Sequence, residues 1–136
     1  MFRVLVDAGP LVAILSPSDE FHWQCVDVLK SLAPPLYTCW PVLAEAAWLL
    51  RADPQAVETL LRGGAAGFYN TLALGGEDGE AIAGVLKRYR NLLARLADAA
   101  LVHLAQRERI ETIFTLDRRD FGVYRPGPNW VFQIIP

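Results

Sequence analysis

The sequence lacks the features that would assign it to a membrane, to a secreted disulfide scaffold or to a nucleotide-binding fold. No apolar run reaches the roughly 18 residues that cross a bilayer, and the opening MFRVLVDAGP has no signal-peptide cleavage region. The only cysteines, Cys25 and Cys39, form no zinc-binding spacing with the two histidines, so we expect buried, reduced thiols. No glycine-rich phosphate loop follows a predicted strand. These absences favour a cytoplasmic protein with no membrane contact.

The composition describes a globular chain with an uneven distribution of charge. Its 136 residues suit a single domain over 1–136, and 53% hydrophobic content with 21% charged residues excludes a disordered chain. The net charge of −2 gives no general nucleic-acid signal, but residues 1–86 carry a negative balance and residues 87–136 a positive one. The basic part fits a phosphate-facing surface, ordinary solvated helix faces or a docking surface for an acidic partner equally well.

The apolar pattern predicts short strands that alternate with helices. We expect strands over 3–7, 36–39 and 111–117 and within 129–136. We expect helices after Pro10, over 19–33, from Pro41, over 54–62, from the GGEDGE segment to about Arg90, and over 95–107. Ser18 is the predicted cap of the helix over 19–33. FYNTLAL (68–74) is ambiguous between strand and turn, and RRDFGVYRPG (118–127) is predicted to be loop. Such alternation is typical of an α/β domain with a mainly parallel sheet, in which function gathers at the carboxyl ends of the strands.

Four isolated acids stand in apolar surroundings at positions that this fold would bring together. Asp7 ends VLVD, Glu45 lies inside PVLAEAAWLL, Asp98 inside RLADAALVHLA, and Asp117 ends IFTLD. The carboxyl ends of parallel strands share one edge of the sheet, and the helices that follow begin there. We therefore expect all four carboxylates to converge at that edge.

Convergence would make the four carboxylates repel one another and take up protons. A divalent cation relieves that repulsion, and hard oxygen ligands favour Mg²⁺ or Mn²⁺ over zinc. Such ions serve the hydrolysis of phosphodiesters. Taken singly, each acid also fits a helix cap or a turn, so the hypothesis rests on finding four of them together.

Several neighbouring residues allow two interpretations each. Thr115 lies on the same strand face as Asp117, where it binds a metal-bound water, steadies a carboxylate or is an ordinary strand residue. Asp120 is a turn or capping acid, or an outer helper of the site. His103 lies about 140° around the helix from Asp98, so we interpret it as structural. The large aromatic residues are predicted to pack in the core or in a dimer rather than to stack on RNA bases: Trp23, Trp40, Trp48 and Tyr89.

The ordered segments VLVDAGPLVAIL, PVLAEAAWLL, LADAALVHLAQ and IFTLDRRDF resemble a PIN domain, in particular the toxin ribonucleases of the VapC type. The resemblance implies a three-layer α/β/α fold, a pocket for Mg²⁺ or Mn²⁺ and endonucleolytic cleavage of RNA. By that match Asp7 and Asp98 are the firmest metal ligands, while Glu45 and Asp117 complete the site or orient the attacking water. It also implies a homodimer and a cognate antitoxin whose tail covers the acidic pocket.

Two departures from the family pattern keep a second hypothesis open. Many relatives follow the first Asp with a hydroxyl residue, where this chain has Ala8. Some carry an extra acid where this chain has Arg95, which would pair with Asp98 or face RNA phosphate. Both departures would suit a catalytically weak PIN-fold module that binds RNA or protein. A receiver or phosphatase fits less well, because no second acid stands beside Asp7.

Overall fold

The computed structural model describes residues 2–136, which form one sheet surrounded by helices. The strands are β1 (Val4–Val6), β2 (Leu36–Thr38), β3 (Tyr69–Thr71), β4 (Thr112–Phe114) and β5 (Gln133–Ile135). The helices are α1 (Ala8–Leu15), α2 (His22–Ser31), α3 (Trp40–Leu49), α4 (Pro54–Arg62), α5 (Gly79–Arg88), α6 (Leu96–Glu108) and α7 (Arg118–Phe121). Short 3₁₀ turns at Gly76–Asp78 and Arg90–Leu92 flank α5. Within residues 2–136, no helix combines the length and the apolar character needed to cross a membrane.

The five strands are ordered β3-β2-β1-β4-β5, and neighbouring strands pair in parallel. The chain moves outward from β1 to β3, then crosses back to β4 on the other side of β1. Because parallel crossovers are right-handed, α1 to α4 and the helices after β3 cover opposite faces of the sheet. The predicted three-layer α/β/α arrangement with a mainly parallel sheet is confirmed.

The central strands are buried on both faces, as their unbroken apolar sequences require. Leu5 of β1 lies opposite Ile113 of β4, and both side chains are fully buried. Cys25 and Cys39 are free, buried thiols, as expected. Burial raises the pKa of Cys39 to about 11, so this thiol is protonated and unreactive at neutral pH.

Helix α4 illustrates how local sequence signals set the ends of an element. Asp53 caps its start, accepting a hydrogen bond from the Ala56 N–H at 3.2 Å, and Pro54 takes the first helical position. The helix ends at Gly63, where the Tyr69 ring packs against the backbone. A Cβ atom at Gly63 would lie 2.6 Å from that ring, so only glycine fits. The predicted helix over 54–62 is confirmed.

Other boundaries differ from the sequence-based expectation. Helix α2 begins at His22 instead of residue 19, and Ser18 does not cap it. The Asp19 carboxylate instead accepts a hydrogen bond from the Phe21 N–H at 2.8 Å, which holds the chain in a turn before the helix. The strands are three residues long, and FYNTLAL contains the edge strand β3. Residues 118–121, predicted to be loop, form α7.

The aromatic residues divide into two groups. Tyr89 is buried, in agreement with the predicted core packing. Of the two predicted alternatives, core packing was wrong for the three tryptophans, which are more than half exposed, and packing in a dimer stays a prediction for them: Trp23, Trp40 and Trp48. Their placement on helix surfaces explains the difference, since the helical pattern alone does not separate the core-facing aromatic positions from the outward ones.

Candidate functional site

The candidate site lies where the strand order reverses, at the carboxyl ends of the adjacent strands β1 and β4. Asp7 follows β1 and is the N-cap of α1, and Asp117 follows β4 and is the N-cap of α7. In open parallel sheets this reversal leaves a crevice between helices that diverge to opposite faces. The fold therefore brings together two acids that are 110 positions apart in the sequence.

Asp7 is buried, as is Asp98 among the four acids. One carboxylate oxygen accepts a hydrogen bond from the Ala8 N–H at 2.8 Å, and the other accepts one from the Thr115 hydroxyl at 2.8 Å. The pKa of Asp7 is raised to about 6: burial is the largest cause, the two hydrogen bonds oppose it, and the charges of Asp98 and Glu45 add to it. This carboxyl group therefore titrates close to neutral pH.

Thr115 links the ends of β1 and β4. Its fully buried hydroxyl donates to Asp7 Oδ2 and accepts a hydrogen bond from the Asp117 N–H at 3.1 Å. One side chain thus fixes the orientation of Asp7 and the backbone of the residue that carries the next acid. The sequence allowed Thr115 to steady a carboxylate, and the carboxylate that its hydroxyl contacts is that of Asp7.

Asp98 occupies the first turn of α6, as predicted. Its Oδ2 accepts hydrogen bonds from the Arg95 N–H and from the Tyr124 hydroxyl, both at 3.3 Å. Burial raises the pKa of Asp98, and these contacts together with the charge of Arg95 oppose the shift. Tyr124 was not predicted as a site residue from the sequence. The available signal was its position three residues after Phe121 and seven residues after Asp117.

Glu45 is only partly buried. Its carboxylate lies 3.5 Å from Arg95 Nε, and the two side chains are 19% and 69% exposed. Burial raises the pKa of Glu45, while the charge of Arg95 lowers it. Of the two alternatives for Arg95, the ion pair with Asp98 is not formed: the guanidinium contacts Glu45 of α3, and only the backbone of Arg95 bonds to Asp98.

Asp117, not Asp120, caps the short helix α7. Asp117 Oδ1 accepts a hydrogen bond from the Asp120 N–H at 3.0 Å. Asp120 lies inside the helix, where burial and the charges of Asp117 and Asp98 raise its pKa. Asp120 is therefore not the cap of this helix, and its role as an outer helper of the site stays a prediction.

The four predicted acids form one electrostatic neighbourhood. Glu45 and Asp98 each raise the pKa of Asp7, and Asp117 raises the pKa of Asp98. The hard oxygen donors fit Mg²⁺ or Mn²⁺ in their chemistry. Across residues 2–136, however, no three acidic, histidine or cysteine side chains are positioned around a common point. The carboxylates would have to move closer together to bind an ion.

A second polar cluster lies on the other part of α6. His103 Nε2 is 2.8 Å from Asp78 Oδ1, and Arg107 donates to the same oxygen at 3.2 Å. The Gly75 N–H donates to the other oxygen at 2.8 Å. These contacts lower the pKa of Asp78 to about 2 and join the turn before α5 to α6. His103 is therefore structural, as predicted, although the sequence did not identify Asp78 as its partner.

The fold and the site define a class of protein: an α/β/α domain with coupled carboxylates where the strand order of a parallel sheet reverses. Comparisons with known proteins identify the family within this class. The PIN domain family model matches residues 4–125. Ribonuclease VapC26 of Mycobacterium tuberculosis (strain ATCC 25618 / H37Rv) is 32% identical over 135 residues, which cover 98% of this chain and 100% of the relative. The chain belongs to the PIN-domain family as a VapC-type member.

A solved structure agrees with this assignment at the level of the fold. VapC20 of Mycobacterium tuberculosis, described as a sarcin–ricin loop cleaving toxin, superimposes with a TM-score of 0.78 over 85% of this chain and 91% of the other. The sequences are 17% identical, so the likeness concerns the backbone arrangement.

Proposed function

We propose that the protein is a metal-dependent endoribonuclease that hydrolyses RNA phosphodiester bonds as the toxin of a type II toxin–antitoxin pair. The observation that carries the proposal is the electrostatic coupling of Asp7, Glu45, Asp98 and Asp117 at the reversal of a PIN-domain sheet. The identity of nearly a third with a full-length VapC ribonuclease supports the reaction class.

Each acid has a distinct part in the proposal. Asp7 and Asp98 would hold Mg²⁺ or Mn²⁺, since both are buried and each is oriented by a hydroxyl group. Glu45 and Asp117 would complete the site and orient the attacking water. The bound ion would supply Lewis-acid stabilisation of the charge that develops on the phosphodiester. Thr115 and Tyr124 would keep the two principal carboxylates in place.

The same proposal includes the partners and the setting. The substrate would be RNA, and a cognate antitoxin would inhibit the protein by covering the acidic pocket. The exposed tryptophans support a homodimer in which part of these helix surfaces is covered. We propose a cytoplasmic location, which matches the reduced thiols and the RNA substrate.

Titration calorimetry with Mn²⁺ and Mg²⁺, combined with cleavage of total cellular RNA, tests the proposal. Asp7→Asn and Asp98→Asn should lose both ion binding and cleavage, while Asp27→Asn, an exposed acid of α2, should retain both. A folded wild-type protein that binds neither ion at millimolar concentration would refute the metal-dependent mechanism.

A catalytically weak binding module is the second candidate. Two observations favour it: Arg95 contacts Glu45, and Ala8 supplies no hydroxyl beside Asp7. RNA that is bound but left intact, in protein that binds no ion, would support this alternative.

A further inference from the structure

The contact between Arg95 and Glu45 places a cationic side chain beside one of the four acids. Arg95 Nε lies 3.5 Å from Glu45 Oε1. The positive charge also stabilises the ionised form of Asp98, which lies one turn further along α6. One guanidinium thus neutralises part of the negative charge that a divalent cation would otherwise meet.

Arg95 is attached to the site in two separable ways. Its backbone N–H donates to Asp98 Oδ2 at 3.3 Å, as part of the start of α6. Its side chain is 69% exposed, and exposed ion pairs of this kind contribute only about 0.2–1 kcal/mol. The guanidinium can therefore leave Glu45 while the backbone continues to hold Asp98.

We propose that Arg95 is a built-in competitor of the metal ion: its guanidinium occupies the Glu45 carboxylate in the ion-free protein, and the ion must displace it on binding. This inference rests on the proposed metal-dependent function. A guanidinium and a divalent cation need the same carboxylate charge and repel each other at short range. The ion-free pocket is thereby neutralised in part, and the ion is bound less tightly than the four acids alone would allow.

Titration of the full, chelator-treated chain with MnCl₂ measures this competition directly. Arg95→Gln keeps a side chain of similar reach without the charge and should bind Mn²⁺ about 2- to 5-fold more tightly than wild type. Arg62→Gln, at the exposed end of α4, removes the same charge elsewhere and should leave the affinity unchanged. Equal or weaker binding by Arg95→Gln would overturn the proposal.

Nuclear magnetic resonance supplies a second readout that does not depend on affinity. The Arg95 Nε–H signal of wild type, assigned by its absence in Arg95→Gln, should shift when Mg²⁺ saturates the protein. A signal that stays in place at saturation would show that the guanidinium is not displaced, and the proposal would be wrong. Failure of the underlying function looks different, because then neither wild type nor Arg95→Gln binds either ion.

Discussion

Asp7→Asn should make the ion-free protein more stable at pH 8 while removing a principal ligand. Asp7 has a pKa of about 6 in the folded protein against an ordinary value of 3.8. At about 1.4 kcal/mol per pH unit, ionisation of the buried carboxyl reduces the stability of the folded state by about 3 kcal/mol. Asparagine avoids that ionisation, and we expect a gain of about 2 kcal/mol after imperfect replacement of the two hydrogen bonds.

The pH dependence of this gain separates electrostatics from packing. Because the folded pKa is raised, the stabilising proton on Asp7 is fully present below pH 3.8 and is lost as the pH rises through about 6. The difference between Asp7→Asn and wild type should therefore be near zero at pH 4 and largest at pH 8. Urea unfolding in the presence of a chelator measures it at both values.

Asp27→Asn is the matched control, because this exposed acid of α2 should change the stability by less than about 0.5 kcal/mol at either pH. An Asp7→Asn protein that is less stable than wild type at pH 8, or equally changed at both pH values, would refute the electrostatic reasoning.

Three further substitutions test the contacts around the acids. Thr115→Val removes the hydroxyl bonded to Asp7 and should weaken Mn²⁺ binding about 10-fold in calorimetry, as loss of a ligand-orienting partner does. Tyr124→Phe removes the 3.3 Å contact to Asp98 and should lower the free energy of unfolding by about 1 kcal/mol in urea. Asp78 stabilises the fold at pH values above 4 and loses this contribution as the pH falls towards 2. Asp78→Asn should therefore abolish the loss of stability between about pH 4 and pH 2 that Asp78 causes. Acid unfolding followed by circular dichroism measures this difference.

The threonine and tyrosine results each have a matched comparison. Thr71→Val changes an exposed strand threonine and should leave Mn²⁺ binding unaltered, so an equal loss in both threonine variants would contradict the role given to Thr115. Tyr37→Phe, on β2, tests loss of a hydroxyl away from Asp98. Retention of the wild-type acid profile by Asp78→Asn would contradict the role of the Asp78 cluster.

The acids at strand and helix ends were predictable because each one interrupts an apolar segment. Asp7 and Asp117 follow buried strands, and the period of the sequence places both at one edge of a parallel sheet. The alternation of strands and helices likewise predicted the three-layer α/β/α arrangement, because it can be read from the apolar pattern. The ligand roles of these acids stay predictions, since the coupling among them is electrostatic and no three converge on one point within residues 2–136.

The missed features depend on side-chain pairs that are distant in sequence. Asp78 stands in GGEDGE, which reads as a polar turn, and its partners lie 25 and 29 residues further along. Arg95 contacts a carboxylate 50 positions earlier, so local spacing favoured its neighbour Asp98 instead. Helix α7 is only four residues long, too short for the apolar period to indicate it.

The bond from Thr115 to Asp7 closes a loop of 108 residues and has a consequence for the protein's synthesis. A growing chain carries Asp7 from the outset but lacks the threonine that orients it and the strand that lies beside it. Non-local pairings of this kind form late, after the intervening chain has been made and ordered. Most of the chain therefore emerges from the ribosome before the four acids can come together. During synthesis, the growing nuclease has no assembled site with which to cleave its own messenger RNA.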